Sequence, residues 1–222
     1  MAFEGFSAAA LAFLTTLGQR DKAWFDANRA TYQAEVVVPT KAFVAELGER
    51  LAEEISRAIV AQPKTNGSIA PINNDLRFAP NQPPYKDHLL IKFWEGENKK
   101  RAPTLWVRIS GSDVGFATGS ALPDLKRWRA LIDDNTTGAE LADALELLGK
   151  GRDLHVAGEG YKRVPKPYDG EHPRANLLRH KVFQARWSEP SPTAINGPGF
   201  LDFCMDRLTA CAPVHTWLVA HL

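Results

Sequence analysis

The stretch Leu89-Leu90-Ile91-Lys92-Phe93-Trp94, with Thr104-Leu105-Trp106-Val107-Arg108-Ile109 after it, decides how this chain folds. Both runs are short, apolar and bounded by turn-forming residues, the pattern of strands. A charged loop through Gly96, Lys99 and Lys100 joins them, and Gly111-Ser112-Asp113 turns the chain into a third run at 114–117. Loops this short predict an antiparallel meander. Alternation puts Trp106 and Arg108 on one face and Leu105, Val107 and Ile109 on the other. Arg108 then faces either a ligand cleft or water.

Upstream, the apolar period changes to that of helices. Ser7 is a good N-cap, and Phe6 with Leu11 has the spacing of a hydrophobic staple. A first helix over 8–17 buries Leu11, Leu14 and Leu17 and stops at Gly18. Asp21 caps a second helix, with Phe25, Asn28 and Tyr32 on one side and Trp24 beside them. Pro39 suits the first turn of a third helix. Its buried stripe is Phe43, Leu47, Leu51, Ile55 and Ile59, ended by Pro63.

Downstream, a helix over 122–132 begins at Pro123 and offers Leu125 and Trp128 to the core. Thr137-Gly138-Ala139-Glu140 has the form of a capping box, opening a helix with Leu141, Leu145 and Leu148 apolar. Short strands are expected near 154–157 and 161–164, and an extended run over 181–187. A terminal helix starts near Phe200, carries Phe203, Leu208, Trp217 and Leu218, and kinks or restarts at Pro213. The expected fold is one α+β domain over residues 1–222. It has a helical layer at 1–63, a loop and antiparallel strands at 64–120, and helices with short strands at 121–222. The antiparallel sheet is covered by the N-terminal and C-terminal helices.

Composition bounds the function classes. The chain has 222 residues, 44% hydrophobic and 24% charged, ordinary values for a globular protein with a sizeable core. No apolar run approaches the roughly 18 residues of a membrane span. The start, Met1 to Gly5, lacks the basic and apolar regions of a signal peptide, so a soluble, cytoplasmic protein is expected. Cys204 and Cys211 lie on one expected helix, about 10 Å apart along its axis, too far for a disulfide. The net charge is +1, but residues 64–108 hold eight Lys/Arg against four Asp/Glu and residues 151–190 hold eight against five. Two basic segments folded together make one positive face; scattered, they make an ordinary solvated surface.

Chemistry concentrates in residues 66–88, N-G-S-I-A-P-I-N-N-D-L-R-F-A-P-N-Q-P-P-Y-K-D-H. Pro80, Pro83 and Pro84 stiffen this loop. Arg77 offers a planar fork for phosphate or carboxylate, Lys86 a point charge, and Tyr85 a stacking face. With Arg108 and Lys181 they form the expected ligand-binding set, and the expected partner is an anionic or phosphate-bearing small molecule. In the competing structural reading, Asp75 and Arg77 are an ion pair pinning the loop and Tyr85 packs on the helical layer. An enzyme reading makes Asp75, Tyr85 and His88 the acid–base groups of a hydrolase or transferase. A third reading is nucleic-acid binding through the basic segments and Trp94, Trp106 or Trp187. A protein-interaction module is the fourth. Gly111-Ser112-Asp113-Val114-Gly115 misses the nucleophile-elbow pattern by one place. The six histidines, at 88, 155, 172, 180, 215 and 221, lack metal-ligand spacing. No metal or cofactor is expected.

Several blocks carry a family resemblance. They are G-F-S-x-x-A-L-x-F-L from Gly5, D-K-A-W-F-D-A-N-R-x-x-Y from Asp21, and N-G-S-I-A from Asn66. D-L-R-F from Asp75, P-P-Y-K from Pro83 and G-Y-K-R-V-P-K from Gly160 follow, then H-P-R-A-N-L-L-R-H-K from His172. In this order they resemble the conserved hypothetical proteins grouped as domain of unknown function 2461, over nearly the whole chain. The resemblance directs attention to Trp24, Phe25, Asn28, Tyr32, Asp75, Arg77, Phe78, Pro84, Tyr85 and Lys86, then Pro173, Leu178 and Lys181. It implies no activity. Where relatives read R-I-x-R-D-x-R-F-S-K-D-K, this chain has Pro71, Asn74, Ala79, Pro80, Asn81 and Gln82, so basic positions are lost beside those that remain.

Overall fold

The structure is a computed structural model that describes residues 2–77, 80–122 and 124–222. In chain order it runs α1 (Ala8–Leu17), α2 (Lys22–Ala27), α3 (Arg29–Thr31), a π-helical segment (Tyr32–Val37) and α4 (Val38–Glu54). Strands β1 (Ile59–Val60), β2 (His88–Glu95), β3 (Thr104–Ser110) and β4 (Asp113–Ala121) follow, then α5 (Leu125–Asp133) and α6 (Thr137–Gly149). The chain closes with β5 (His155–Ala157), α7 (Ala175–Leu178), β6 (Val182–Pro190), a 3-10 turn (Thr193–Asn196) and α8 (Phe200–His221). The strands form an open antiparallel sheet in the order β1-β2-β3-β4-β6-β5. The fold is α+β, with the expected meander β2-β3-β4 inside the sheet.

By contact the chain groups into two compact units. The first holds Met1–Phe93, Trp106–Gly115 and Ser188–Arg207; the second holds Trp94–Leu105, Phe116–Trp187 and Leu208–Leu222.

In the first unit, Ser7 caps α1 as expected, its Oγ accepting from the Ala10 N–H at 3.0 Å. The helix buries Ala10, Phe13, Leu14 and Leu17, while Leu11 is only half-buried. Phe6 packs into an aromatic cluster with Phe3, Phe43 and Phe200, at centroid distances of 5.2, 5.8 and 6.0 Å. Phe43, Leu47 and Leu51 are fully buried along α4. That helix ends at Glu54, not at Pro63: the N–H groups of Ile55 and Ser56 both close on the Leu51 carbonyl. Ile59 is buried as part of β1 instead. A buried apolar residue looks the same in a helix stripe and in a short strand, so spacing alone extends the helix too far.

The 66–88 loop is folded against the sheet. The Ala70 N–H reaches the Leu90 carbonyl at 2.9 Å, the Lys92 N–H reaches Ser68 at 2.9 Å, and Asn73 bridges Tyr85. Across the loop the Asn74 N–H donates to the Pro84 carbonyl at 2.9 Å and Lys86 to Ile72 at 2.9 Å. Phe78 and Ala79 lie outside the described residues.

In the second unit, Asp124 is the N-cap of α5; Pro123, expected to open that helix, lies outside the described residues. Trp128 is fully buried, its ring 5.4 Å from Phe183 and 5.9 Å from Trp217, and its Nε1 donates to the Leu177 carbonyl at 2.9 Å. The expected capping box at Thr137 is replaced by Asp134, whose Oδ1 accepts from the N–H groups of Thr136 and Thr137 at 2.9 and 2.8 Å. These bonds hold the Asp134 carboxyl below the usual carboxylate range. Leu141, Leu145 and Leu148 are buried along α6 as expected. The strand expected at 161–164 is absent: residues 161–164 have no strand pairing, and the backbone of Tyr161 is held by its N–H on the Arg179 carbonyl at 2.8 Å. Helix α8 passes through Pro213 without restarting. Its two cysteines are free and buried. Among the described residues, no helix is long and apolar enough to cross a membrane.

Candidate functional site

A polar cleft of about 370 Å³ opens within the first unit. Helix α1 supplies Thr15, with Gly18 and Gln19 just beyond its end; β3 supplies Arg108 and Ser110; Gly111, Ser112 and Asp113 form the turn into β4. Asp87 closes the 66–88 loop at the cleft wall.

Two glycines set the distance between these walls. A Cβ on Gly111 would lie 2.2 Å from Thr15 Oγ1, and one on Gly18 would lie 2.7 Å from the Asp87 Cβ. Gly18 has the φ of an ordinary right-handed residue, −59°, so its role is close approach and not an unusual backbone. The turn is internally bonded. Ser110 Oγ accepts from the N–H groups of Ser112 and Asp113 at 3.2 and 3.1 Å.

Arg108 is the cation of the cleft. Strand alternation behaves as expected: Leu105, Val107 and Ile109 are buried, while Trp106 and Arg108 face the other side and are half-buried. Arg108 Nη1 donates to Asp113 Oδ1, and Ser112 Oγ donates to Asp113 Oδ2 at 3.1 Å. Arg108 Nη2 lies 3.8 Å from Asp87 Oδ1, beyond hydrogen-bonding distance. Asp87 is instead bonded at 2.7 Å by His88 Nδ1, which holds its carboxyl below the usual range. Two carboxylates thus accompany one guanidinium. Unit charges about 4 Å apart interact by roughly 4 kcal/mol at an effective dielectric of about 20, so one aspartate offsets the arginine and the second leaves the cleft acidic.

The expected ligand-binding residues have separate environments. Arg77 has a side chain 80% exposed and is forked onto Asp75, at 2.9 and 2.7 Å. That pairing lowers the pKa of Asp75. Lys86 donates its ammonium to the carbonyls of Pro71 and Asn73 at 2.6 and 2.5 Å, and burial lowers its pKa. Tyr85 is only 4% exposed, its ring 4.6 Å from that of Phe25 on α2. Lys181 belongs to the second unit, paired with Glu159 at 2.9 Å and lying over Tyr161 at 4.7 Å. Of the five, only Arg108 lines the cleft. The loop's own geometry matches the structural reading, with an ion pair at its tip and its tyrosine on the helical layer.

The expected acid–base groups also part company, with Asp75 on Arg77, Tyr85 on Phe25 and His88 on Asp87. Trp94 and Trp187 are buried, and Trp106 is half-buried with the Lys92 ammonium 5.2 Å from its ring centroid. The cleft residues missed in the sequence are Asp87, Asp113, Thr15, Gln19, Ser110 and Ser112. The Gly111-Ser112-Asp113 turn was the available signal for three of its walls. Among the described residues no group of three or more His, Cys, Asp or Glu is arranged to hold a metal ion.

A family model described as "Conserved hypothetical protein (DUF2461)" matches residues 9–217. No curated protein matches the chain.

Proposed function

The chain belongs to the DUF2461 family of conserved hypothetical proteins, and from the geometry of its cleft we propose that it binds a small polar ligand through an anionic group held by Arg108. The observation that carries this reading is the state of the guanidinium. One nitrogen is anchored on Asp113, while Nη2 stands 3.8 Å from Asp87 beside an open polar volume. A planar fork held on one edge is pre-oriented to receive a carboxylate or phosphate oxygen on the other. Arg77 and Lys86, by contrast, satisfy groups of their own loop. The size of the cleft suits a metabolite and not a polymer.

A thermal-shift screen of carboxylates, sugar phosphates and nucleotides tests the reading. A ligand at about 100 times its Kd adds about 2.7 kcal/mol of stability, a visible displacement of the midpoint. The displacement is expected to vanish in Arg108→Ala and to persist in Arg77→Ala. Loss in Arg77→Ala alone would move the site to the loop tip.

The 2.7 Å contact between Asp87 and His88 favours a second reading, acid–base chemistry of the hydrolase or transferase class beside the same cleft. His88 would be the proton-transfer group and Asp87 its orienting carboxylate. Asp75 and Tyr85 take no part in it. Turnover in a hydrolase and transferase substrate panel that His88→Gln abolishes would support it, and a silent panel would count against it. A cytoplasmic location is also part of the proposal.

A further inference from the structure

Resting on the binding role proposed for Arg108, we infer that the ligand of the cleft is a zwitterion, with a carboxylate for Arg108 and a protonated amine for Asp87. The argument is one of charge balance. The lining holds Asp87, Asp113 and Arg108 as its charged groups. Asp113 is committed on both oxygens, Oδ1 to Arg108 Nη1 and Oδ2 to the Ser112 hydroxyl. Its charge therefore offsets that of the guanidinium at short range.

Asp87 is the carboxylate that Arg108 does not hold; its Oδ1 is bonded by His88 Nδ1 at 2.7 Å, and it remains open to the cleft. Its side chain is 60% exposed at the cleft wall, and it stands too far from Arg108 Nη2 for a hydrogen bond. A plain anion approaching Arg108 therefore meets a second negative charge within a few ångströms. A ligand that brings its own ammonium converts that repulsion into an ion pair. The 3.8 Å between Arg108 Nη2 and Asp87 Oδ1 sets the spacing of the two recognition groups. It matches a carboxylate and an amine on the same or adjacent carbons, as in an α- or β-amino acid. The Thr15, Ser110 and Ser112 hydroxyls and the Gln19 amide make the remaining wall polar, so the rest of the molecule is small and hydrophilic.

The deciding experiment compares matched probes on the full chain by titration calorimetry. The set is the polar α-amino acids and β-alanine, each beside its deaminated acid, so that every pair differs only in the amine. The expected result is that at least one zwitterion binds about tenfold or more tightly than its deaminated partner, a difference of about one decade in Kd. Asp87→Asn should shrink that ratio to near unity, and Arg108→Ala should remove binding of both. Equal or tighter binding of the deaminated acids, still lost in Arg108→Ala, overturns the zwitterion and leaves the Arg108 reading standing. No binding by any carboxylate, or binding indifferent to Arg108→Ala, overturns the Arg108 reading and the inference with it. Should Asp87→Asn fail to fold, the matched pairs on the wild-type chain decide alone.

Discussion

Arg108 and Asp113 are joined across the turn between β3 and β4, the guanidinium donating from Nη1 to the carboxylate five residues on. Both side chains are about one-third exposed, 33% and 34%, so the pair sits at the boundary between a screened surface bridge and a costly buried one. Its expected contribution is modest in stability and larger in orientation. Asp113→Asn should lower the unfolding free energy by under about 1 kcal/mol in urea titration. The same variant should weaken any Arg108-dependent ligand more than this loss of stability alone would. A large loss of stability with unchanged binding would make the pair a structural clamp.

Gly111 is predicted to be intolerant of a methyl group because of Thr15. A Cβ there would overlap the Thr15 hydroxyl at 2.2 Å. Gly111→Ala should cost about 1–3 kcal/mol, the usual range for overpacking. Thr15→Ala in the same chain removes the offending oxygen and should restore much of the loss. A double-mutant cycle by thermal unfolding measures the coupling, and additivity would refute the contact.

Acid sensitivity is expected to begin above the carboxylate range. His215 on α8 is 1% exposed at its side chain and pairs with Glu95 at 3.1 Å, and burial lowers its pKa despite that partner. His180 is buried with neither ring nitrogen hydrogen-bonded, and its pKa is lowered by burial and by Arg179. A folded-state pKa below the unfolded value means the unfolded chain takes up the proton first. Stability is then full above the unfolded histidine value of about 6.5 and falls as pH drops through the folded value. Urea midpoints measured from pH 7.5 down to 5 should decline, and His180→Phe should flatten part of that slope. A level profile over this window would refute the burial argument.

Lys86 is predicted to hold its loop closed through the carbonyls of Pro71 and Asn73. Lys86→Met should speed amide exchange at Asn74 and at position 86, whose N–H groups close the loop, while leaving Arg108-dependent binding within about twofold, since lost loop order is a local opening. Loss of binding with unchanged exchange would return Lys86 to the ligand set.

The sheet was the most legible part of the fold. Trp106 and Arg108 against Leu105, Val107 and Ile109 is the alternation of a strand, and the burial of these five follows it, while Thr104 and Ser110 at the strand ends are buried on the Arg108 face as well. The end of α4 was less legible because Ile59 is apolar for a strand's reason and falls on the helix stripe by spacing. Of the residues the sequence singles out for ligand binding, Arg108 alone lines the cleft. What makes the cleft is the approach of Thr15 to Gly111 and of Gly18 to Asp87, between segments far apart in the chain. The 66–88 loop drew attention by its cations, yet Arg77 and Lys86 answer Asp75 and the loop's own carbonyls. Residue type shows that a cation is present; only the folded backbone shows which acceptor already holds it.

Helix α8 carries a pair of chemical clocks. Cys204 and Cys211 are both fully buried, and burial raises both thiols, Cys211 to about 12. At neutral pH neither holds appreciable thiolate while folded, so an alkylating reagent waits for the surrounding structure to open. Cys204 lies in the first unit and Cys211 in the second. Tryptic mapping of the two adducts over time would therefore read the opening around each cysteine, without a spectroscopic label.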